Sequence, residues 1–331
     1  MALKIGTLLK SICMLLAVNF HYIREQFDAP YPAIFGKTPI QFRRQLETLS
    51  KLGKFVSSRD IEELVAKNEK LSKKSIIITF DDGLKEQVDL AKPILDEMGI
   101  PAIFFINTKI LEEPKLLNVH RTHIVRSLLS PELILDHFTS SATYQRLDEK
   151  QRQKIQSLGS IHYRYDGPKN AYLKYLLNFV FTPDSVDKEF SYLLNEICSV
   201  DEKSAHSDLY ISPETITALG AEGAVGSHAH DHLPLGVLPK EEARLQVGKS
   251  REVFKRFGIE AKAFSYPYGS KEAVGNIQSY IENYGFTFAF TMNRGVNLNF
   301  ENPFELKRCD NNDVPGGKAY NSSNLLINFE S

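Results

Sequence analysis

Tryptophan is absent from the 331 residues, and cysteine nearly so: Cys13, Cys198 and Cys309 stand far apart with no C-x-x-C pair. An odd number of scattered thiols argues against a disulfide framework and for buried cysteines in a reducing compartment. An excess of charge is lacking too. The chain has 40 Lys and Arg against 41 Asp and Glu, a formal net charge of -1. That balance favours neither a nucleic acid nor an anionic membrane as partner. No stretch approaches the roughly 18 apolar residues needed to span a bilayer. The beginning, MALKIGTLLKSICMLLAV, puts Lys4 and Lys10 ahead of an apolar run. The run is short for a signal peptide, has no A-x-A site, and continues into NFHYI, which reads as a first strand. A cytoplasmic protein is the expectation.

What is present is the ordinary balance of a globular chain, 42% hydrophobic and 24% charged, with 14 Tyr and 21 Phe as its aromatic surface. Strand and helix patterns alternate at both ends. Residues 15–20, 76–80, 102–106, 224–227, 263–266, 286–290 and 305–309 read as strands. Residues 39–52, 85–98, 239–257 and 271–283 read as helices, the second stopping at Gly99 ahead of Pro101. Repeated β–α units with apolar strands imply a parallel sheet, open or closed into a barrel, whose ligand site lies at the carboxyl ends of the strands. Between about 107 and 210 the strand signals stop and helical stretches take over, at 121–129, 171–181 and 186–197. The expectation is one domain over 1–331, interrupted by a helical insertion.

Three strand ends carry chemistry. The strand IIITF runs straight into Asp81, Asp82 and Gly83. One aspartate before a glycine is turn chemistry; two side by side carry a like-charge cost that a turn does not explain. After the next short strand but one, GSHAHDH places His228 and His232 four residues apart with His230 between them. Two imidazoles and a carboxylate make three ligands with an open position, the pattern of catalytic Zn²⁺ or a similar divalent ion. The following strand ends in FSYPYG, where Pro267 and Gly269 fix the path around Tyr268. A backbone N–H held there can donate to an oxygen that gains charge.

Thr79-Phe80-Asp81-Asp82-Gly83, His228-x3-His232 and Tyr266-Pro267-Tyr268-Gly269 together resemble the first three motifs of the polysaccharide deacetylase family, the NodB-homology fold of carbohydrate esterase family 4. The similarity covers roughly residues 15–106 and 211–310. It implies an α/β fold, a distorted (β/α) barrel of parallel strands, and metal-dependent hydrolysis of an N-acetyl group on an amino sugar. Carried over, it implies Asp81 as general base and Asp82, His228 and His232 as ligands of one divalent ion, Zn²⁺ or else Co²⁺ or Ni²⁺. Tyr268 would supply the oxyanion N–H. The ion would also relieve the like-charge cost of the aspartate pair.

The chain departs from that family in two places. Ser265 stands where members often carry an arginine that orients the catalytic aspartate, and Arg308 with Asp310 is the candidate replacement. No histidine follows His232 to act as general acid, so His120 or His123 is the candidate, while His21 is expected to pack under the site. The leading reading is a hydrolase of an acylated amino sugar, acetyl or formyl. The saccharide, nucleotide-linked or lipid-linked, would belong to surface-polysaccharide biosynthesis, because a rim insertion shapes a pocket and not an open groove. A non-catalytic carbohydrate-binding protein on the same fold, or a hydrolase of another C–N bond, remains the alternative.

Overall fold

The computed structural model describes residues 14–320, apart from 29–30, 32–33, 68, 70 and 72. The expectation that the first residues are not a leader therefore falls largely outside the described residues. Among the described residues eight strands form one sheet: β1 (Leu15–Phe20), β2 (Lys54–Phe55), β3 (Ser75–Phe80), β4 (Ala102–Ile106), β5 (Val225–Ser227), β6 (Ala263–Ser265), β7 (Phe288–Phe290) and β8 (Cys309–Asp310). Their order is β7-β6-β5-β4-β3-β1-β8, with β2 beside β3, and every ladder is parallel. Leu306 makes a parallel bridge to Phe290, and three residues later β8 pairs with β1. One extended segment thus spans the gap between the two edges, and the sheet curls into the expected distorted (β/α) barrel.

Local signals account for the helices around it. Helix α1 (Pro39–Ser50) opens with Pro39 and a reciprocal cap in which Thr38 Oγ1 accepts the Gln41 N–H and Gln41 Oε1 accepts the Thr38 N–H. Helix α2 (Ser58–Ala66) uses the same device through Ser57 and Asp60. Neither β2 nor α2 is foreseen by the sequence pattern. The stretch expected as one helix over 85–98 begins as a π-helical turn, Gln87–Ala91, before α3 (Lys92–Met98). Gly99 closes α3 in the left-handed conformation, φ 63°.

A helical segment lies between β4 and β5, over the stretch expected as an insertion. It begins with α4 (Asn118–Leu128) and continues through helices Pro131–Thr139, Glu149–His162, Pro168–Tyr175, Pro183–Tyr192 and Glu202–Leu209. Two expectations are corrected near the end of the chain. The helix over 271–283 is broken into Lys271–Val274 and Gln278–Ile281 at Gly275, φ 56°. Gly275 lies so close to Gly236 that a Cβ on either would strike the other's backbone. The strand over 305–309 is a 3₁₀ turn, Pro303–Glu305, a single bridge at Leu306, and then β8.

Among the described residues no helix is long and apolar enough to cross a membrane.

Candidate active site

Strand periodicity builds the floor of the site. Alternate residues of a strand point to the same face, and one set, Leu15, Ala17, Ile77, Ile103, Phe105, Ala263, Phe288, Phe290 and Leu306, packs as a single apolar cluster. Continuing the same alternation toward the carboxyl ends gives Asn19, Thr79, Asp81, Ser265 and Arg308. The inward face is therefore apolar at the bottom and polar at the top. Gly226 faces the same interior, because a Cβ there would collide with the Phe105 ring, and two residues on stands His228.

Asp81 is held by four hydrogen bonds. Arg308 donates to both of its oxygens, at 2.8 and 2.7 Å, Asn19 Nδ2 at 2.9 Å and Ser265 Oγ at 3.2 Å. Arg308 is itself fully buried, also donates to Ser265 Oγ at 2.8 Å, and lies over the rings of Phe105 and Phe290. Burial opposes ionisation of Asp81, but the guanidinium, with His228 beyond it, outweighs burial and takes the carboxyl down to about 2. Arg308 alone fills the place expected of Arg308 and Asp310 together, since the Asp310 side chain instead accepts the Asn312 N–H.

Asp82 would point outward if β3 ran on. Its φ of 80° turns it inward. Five non-glycine residues among those described have positive φ, and four of them, Asp82, Ala229, His232 and Tyr268, stand at these three strand ends. Strain of this kind costs about 1–3 kcal/mol per residue and persists where surrounding structure enforces it. The result is that Asp82, His228 and His232 gather with their ligand atoms within 4.8 Å of one another, all buried. Asp82 Oδ1 lies 3.6 Å from His228 Nε2 and 3.3 Å from His232 Nε2.

These residues fit a divalent cation. Among the described residues Asp82 Oδ1 has no hydrogen-bond partner, though it is buried, which is costly for a carboxylate that nothing else satisfies. His228 Nδ1 lies 2.7 Å from the Ser265 carbonyl, an acceptor only, so Nδ1 carries the proton and Nε2 turns its lone pair toward Asp82. Burial lowers the His228 ring to about 4, leaving it neutral and able to ligate at neutral pH.

The other histidines separate clearly. His120 is fully buried against Tyr210 and Asp82, with Nδ1 2.6 Å from the Tyr210 hydroxyl. His123 Nδ1 pairs with the Tyr22 hydroxyl at 2.9 Å. His230 turns away to Thr108 Oγ1 at 3.0 Å. His21 does not pack under the site as expected. It stands at the mouth just beyond β1, its side chain 38% exposed and its Nε2 3.9 Å from Asp81 Oδ2. A histidine that ends a strand two residues after the inward Asn19 was the available signal. The Tyr268 N–H donates to no protein acceptor among the described residues, and its ring packs edge-on against His232.

All of this opens into a cleft of about 1400 Å³. The helices between β4 and β5 contribute Tyr163, Tyr165 and Phe179 to its lining, and Phe27, Phe35 and Arg44 line it as well.

Solved structures share this fold at low sequence identity. IcaB from Ammonifex degensii superposes with a TM-score of 0.50 at 18% identity, over 90% of this chain and 91% of that one. The Streptococcus pyogenes deacetylase PplD in complex with acetate gives 0.52 at 14%, over 90% and 92%. The deacetylase domain of BpsB from Bordetella bronchiseptica gives 0.50 at 14%, over 90% and 95%. No curated protein matches by sequence. The family model for polysaccharide deacetylase matches residues 68–157 and 179–289, well over half of the chain and all three strand-end motifs, and the chain belongs to that family.

Proposed function

We propose that the protein is a metal-dependent hydrolase that removes an N-acyl group, acetyl in the first place, from an amino sugar. The observation that carries this reading is the buried, partnerless Asp82 Oδ1 facing two imidazole nitrogens, with a second carboxylate locked beside it. Asp82, His228 and His232 would hold the ion, Zn²⁺ or else Co²⁺ or Ni²⁺. A carboxylate held near 2 is a weak base toward bulk water; a divalent ion, when bound, polarises the acyl carbonyl and acidifies a water.

The chain's own groups do the rest. Asp81, ionised throughout the physiological range and unable to rotate under Arg308, Asn19 and Ser265, takes the proton from the attacking water. The water oxygen bonds to the acyl carbon, and the Tyr268 N–H is available to the oxygen that gains charge. The C–N bond then breaks, and a proton must reach the leaving nitrogen. His21 is best situated to deliver it, being half-exposed at the cleft mouth near Asp81, whereas His120 and His123 are committed to Tyr210 and Tyr22. The products are a carboxylate and a free amine.

The walled cleft and its aromatic lining support a defined saccharide, nucleotide-linked or lipid-linked, of surface-polysaccharide biosynthesis. Arg308 weighs against the non-catalytic alternative, since the arginine missing at Ser265 is supplied from the segment before β8.

The test is acetate release from N-acetylated saccharides by parent and Asp81→Asn. The variant is expected to lose about 10²–10⁴-fold in kcat while keeping one divalent ion per chain by elemental analysis. Near-parental turnover in the variant would remove Asp81 as the base.

A further inference from the structure

The two oxygens of Asp82 have different surroundings. Oδ1 faces the Nε2 atoms of His228 and His232, whereas Oδ2 faces His120 Nε2 at 3.4 Å. That distance is long for a formed hydrogen bond, yet among the described residues the buried His120 Nε2 has no other partner, so Oδ2 is the acceptor within its reach. The opposite nitrogen of the ring, Nδ1, lies 2.6 Å from the Tyr210 hydroxyl. That hydroxyl already accepts the Leu117 N–H at 3.0 Å, which leaves its own proton for Nδ1. A neutral imidazole that accepts at Nδ1 carries its proton on Nε2, the nitrogen aimed at Asp82.

The backbone reinforces this arrangement. Leu84 bridges Tyr210 in antiparallel sense, and the Ile211 N–H donates to the Gly83 carbonyl at 3.1 Å. The exit of the insertion, with Tyr210, is thereby fastened to the turn that bears the two aspartates, and α4 is tied to Tyr210 through the Leu117 N–H and His120.

We infer that His120 and Tyr210 are positioning residues for the metal-binding carboxylate, an inference that rests on reading Asp82 as a ligand. The Tyr210 hydroxyl fixes the His120 tautomer, and the His120 Nε2–H steadies Asp82 Oδ2. Asp82 then presents Oδ1 alone, in one orientation, to the side where His228 and His232 stand. A carboxylate without that hold can rotate, and outer hydrogen bonds of this kind govern metal affinity as the ligands themselves do. The helical segment between β4 and β5 thus lines the cleft and also steadies the metal ligand.

Metal affinity, measured by competition with a chromophoric chelator for Zn²⁺ and Co²⁺, tests this without an activity assay. His120→Ala is expected to weaken binding by about 10–100-fold, and Tyr210→Phe by about 3–10-fold in the same direction. His120→Gln, whose amide N–H can reach the same oxygen, is expected to recover most of the loss. The Co²⁺ absorption bands should keep the parent's shape, because no ligand has changed. Affinities within about two-fold of the parent in both His120→Ala and Tyr210→Phe overturn the inference. So does a Co²⁺ spectrum whose coordination number changes in His120→Ala, which would make His120 a ligand. If His120→Ala does not fold, Tyr210→Phe decides, and parental affinity in it counts against the pair. A parent that binds neither ion defeats the assignment of Asp82 as well, an outcome distinct from a binding parent with equally tight variants.

Discussion

A buried arginine decides how Asp81 behaves. Because its folded pKa, about 2, lies below the unfolded value near 3.9, the ionised carboxylate contributes stability that is present above the unfolded value. That contribution is lost as pH falls from about 4 through 2, and it amounts to about 2–3 kcal/mol. Acid unfolding of the metal-free protein, followed by circular dichroism, should show this loss. Arg308→Ala leaves a buried charge unpaired and should cost about 3–5 kcal/mol at neutral pH. Its deficit against the parent should shrink as pH falls, first where the buried, unpaired aspartate protonates in the variant and then, below about 4, where the parent loses its advantage. A deficit that stays constant across that window would show that the arginine acts through packing alone. Ser265, read in the sequence as the loss of an arginine, is part of the same unit: its hydroxyl accepts from Arg308 and donates to Asp81.

At the scale of elements, strand parity aims the site. Positions 77, 79 and 81 alternate in facing with 76, 78 and 80, and the first set faces the barrel interior, so Asp81 arrives inward by register. Asp82 arrives there by a left-handed turn instead. The interior is filled to the point that β5 must carry glycine opposite Phe105. Gly226→Ala should therefore destabilise by about 1–3 kcal/mol through overpacking, readable as a lowered urea midpoint with unchanged slope. The paired Gly226→Ala/Phe105→Leu should recover part of the loss, and a neutral single variant would show that the interior has slack. The broken helix at Gly275 follows the same logic. Apolar spacing continues across 271–283, but contact with Gly236, nearly forty residues earlier, ends the helix.

At the scale of the whole molecule, the insertion does more than lengthen the rim. It leaves the barrel after β4, and its tip reaches the loop after β8, where Arg164 pairs with Asp313 and the Tyr165 hydroxyl donates to the same carboxylate at 2.7 Å. Near the helix after β6, Tyr175 donates to Glu272 at 2.9 Å, with His162 3.2 Å away. These ties join the helical segment to the loop after β8 and to the helix after β6. Asp313→Ala should release the tip, giving faster amide exchange around residues 163–166 and, in the proposed reaction, a KM several-fold higher with kcat little changed. Exchange as slow as in the parent would mean that the helices hold the tip without Asp313.

The three strand-end motifs, their order and the buried β–α alternation were legible in the sequence, because adjacent aspartates, paired histidines and apolar strands are local patterns. The family resemblance rested on the same local residues. What only the tertiary structure decided is long-range. Arg308 reaches Asp81 across 227 positions, His120 and Tyr210 meet at Asp82 across 90, and His21 stands at the mouth and not beneath it. No spacing rule links such residues, since closure of the barrel and the return of the insertion, not the neighbouring sequence, bring them together.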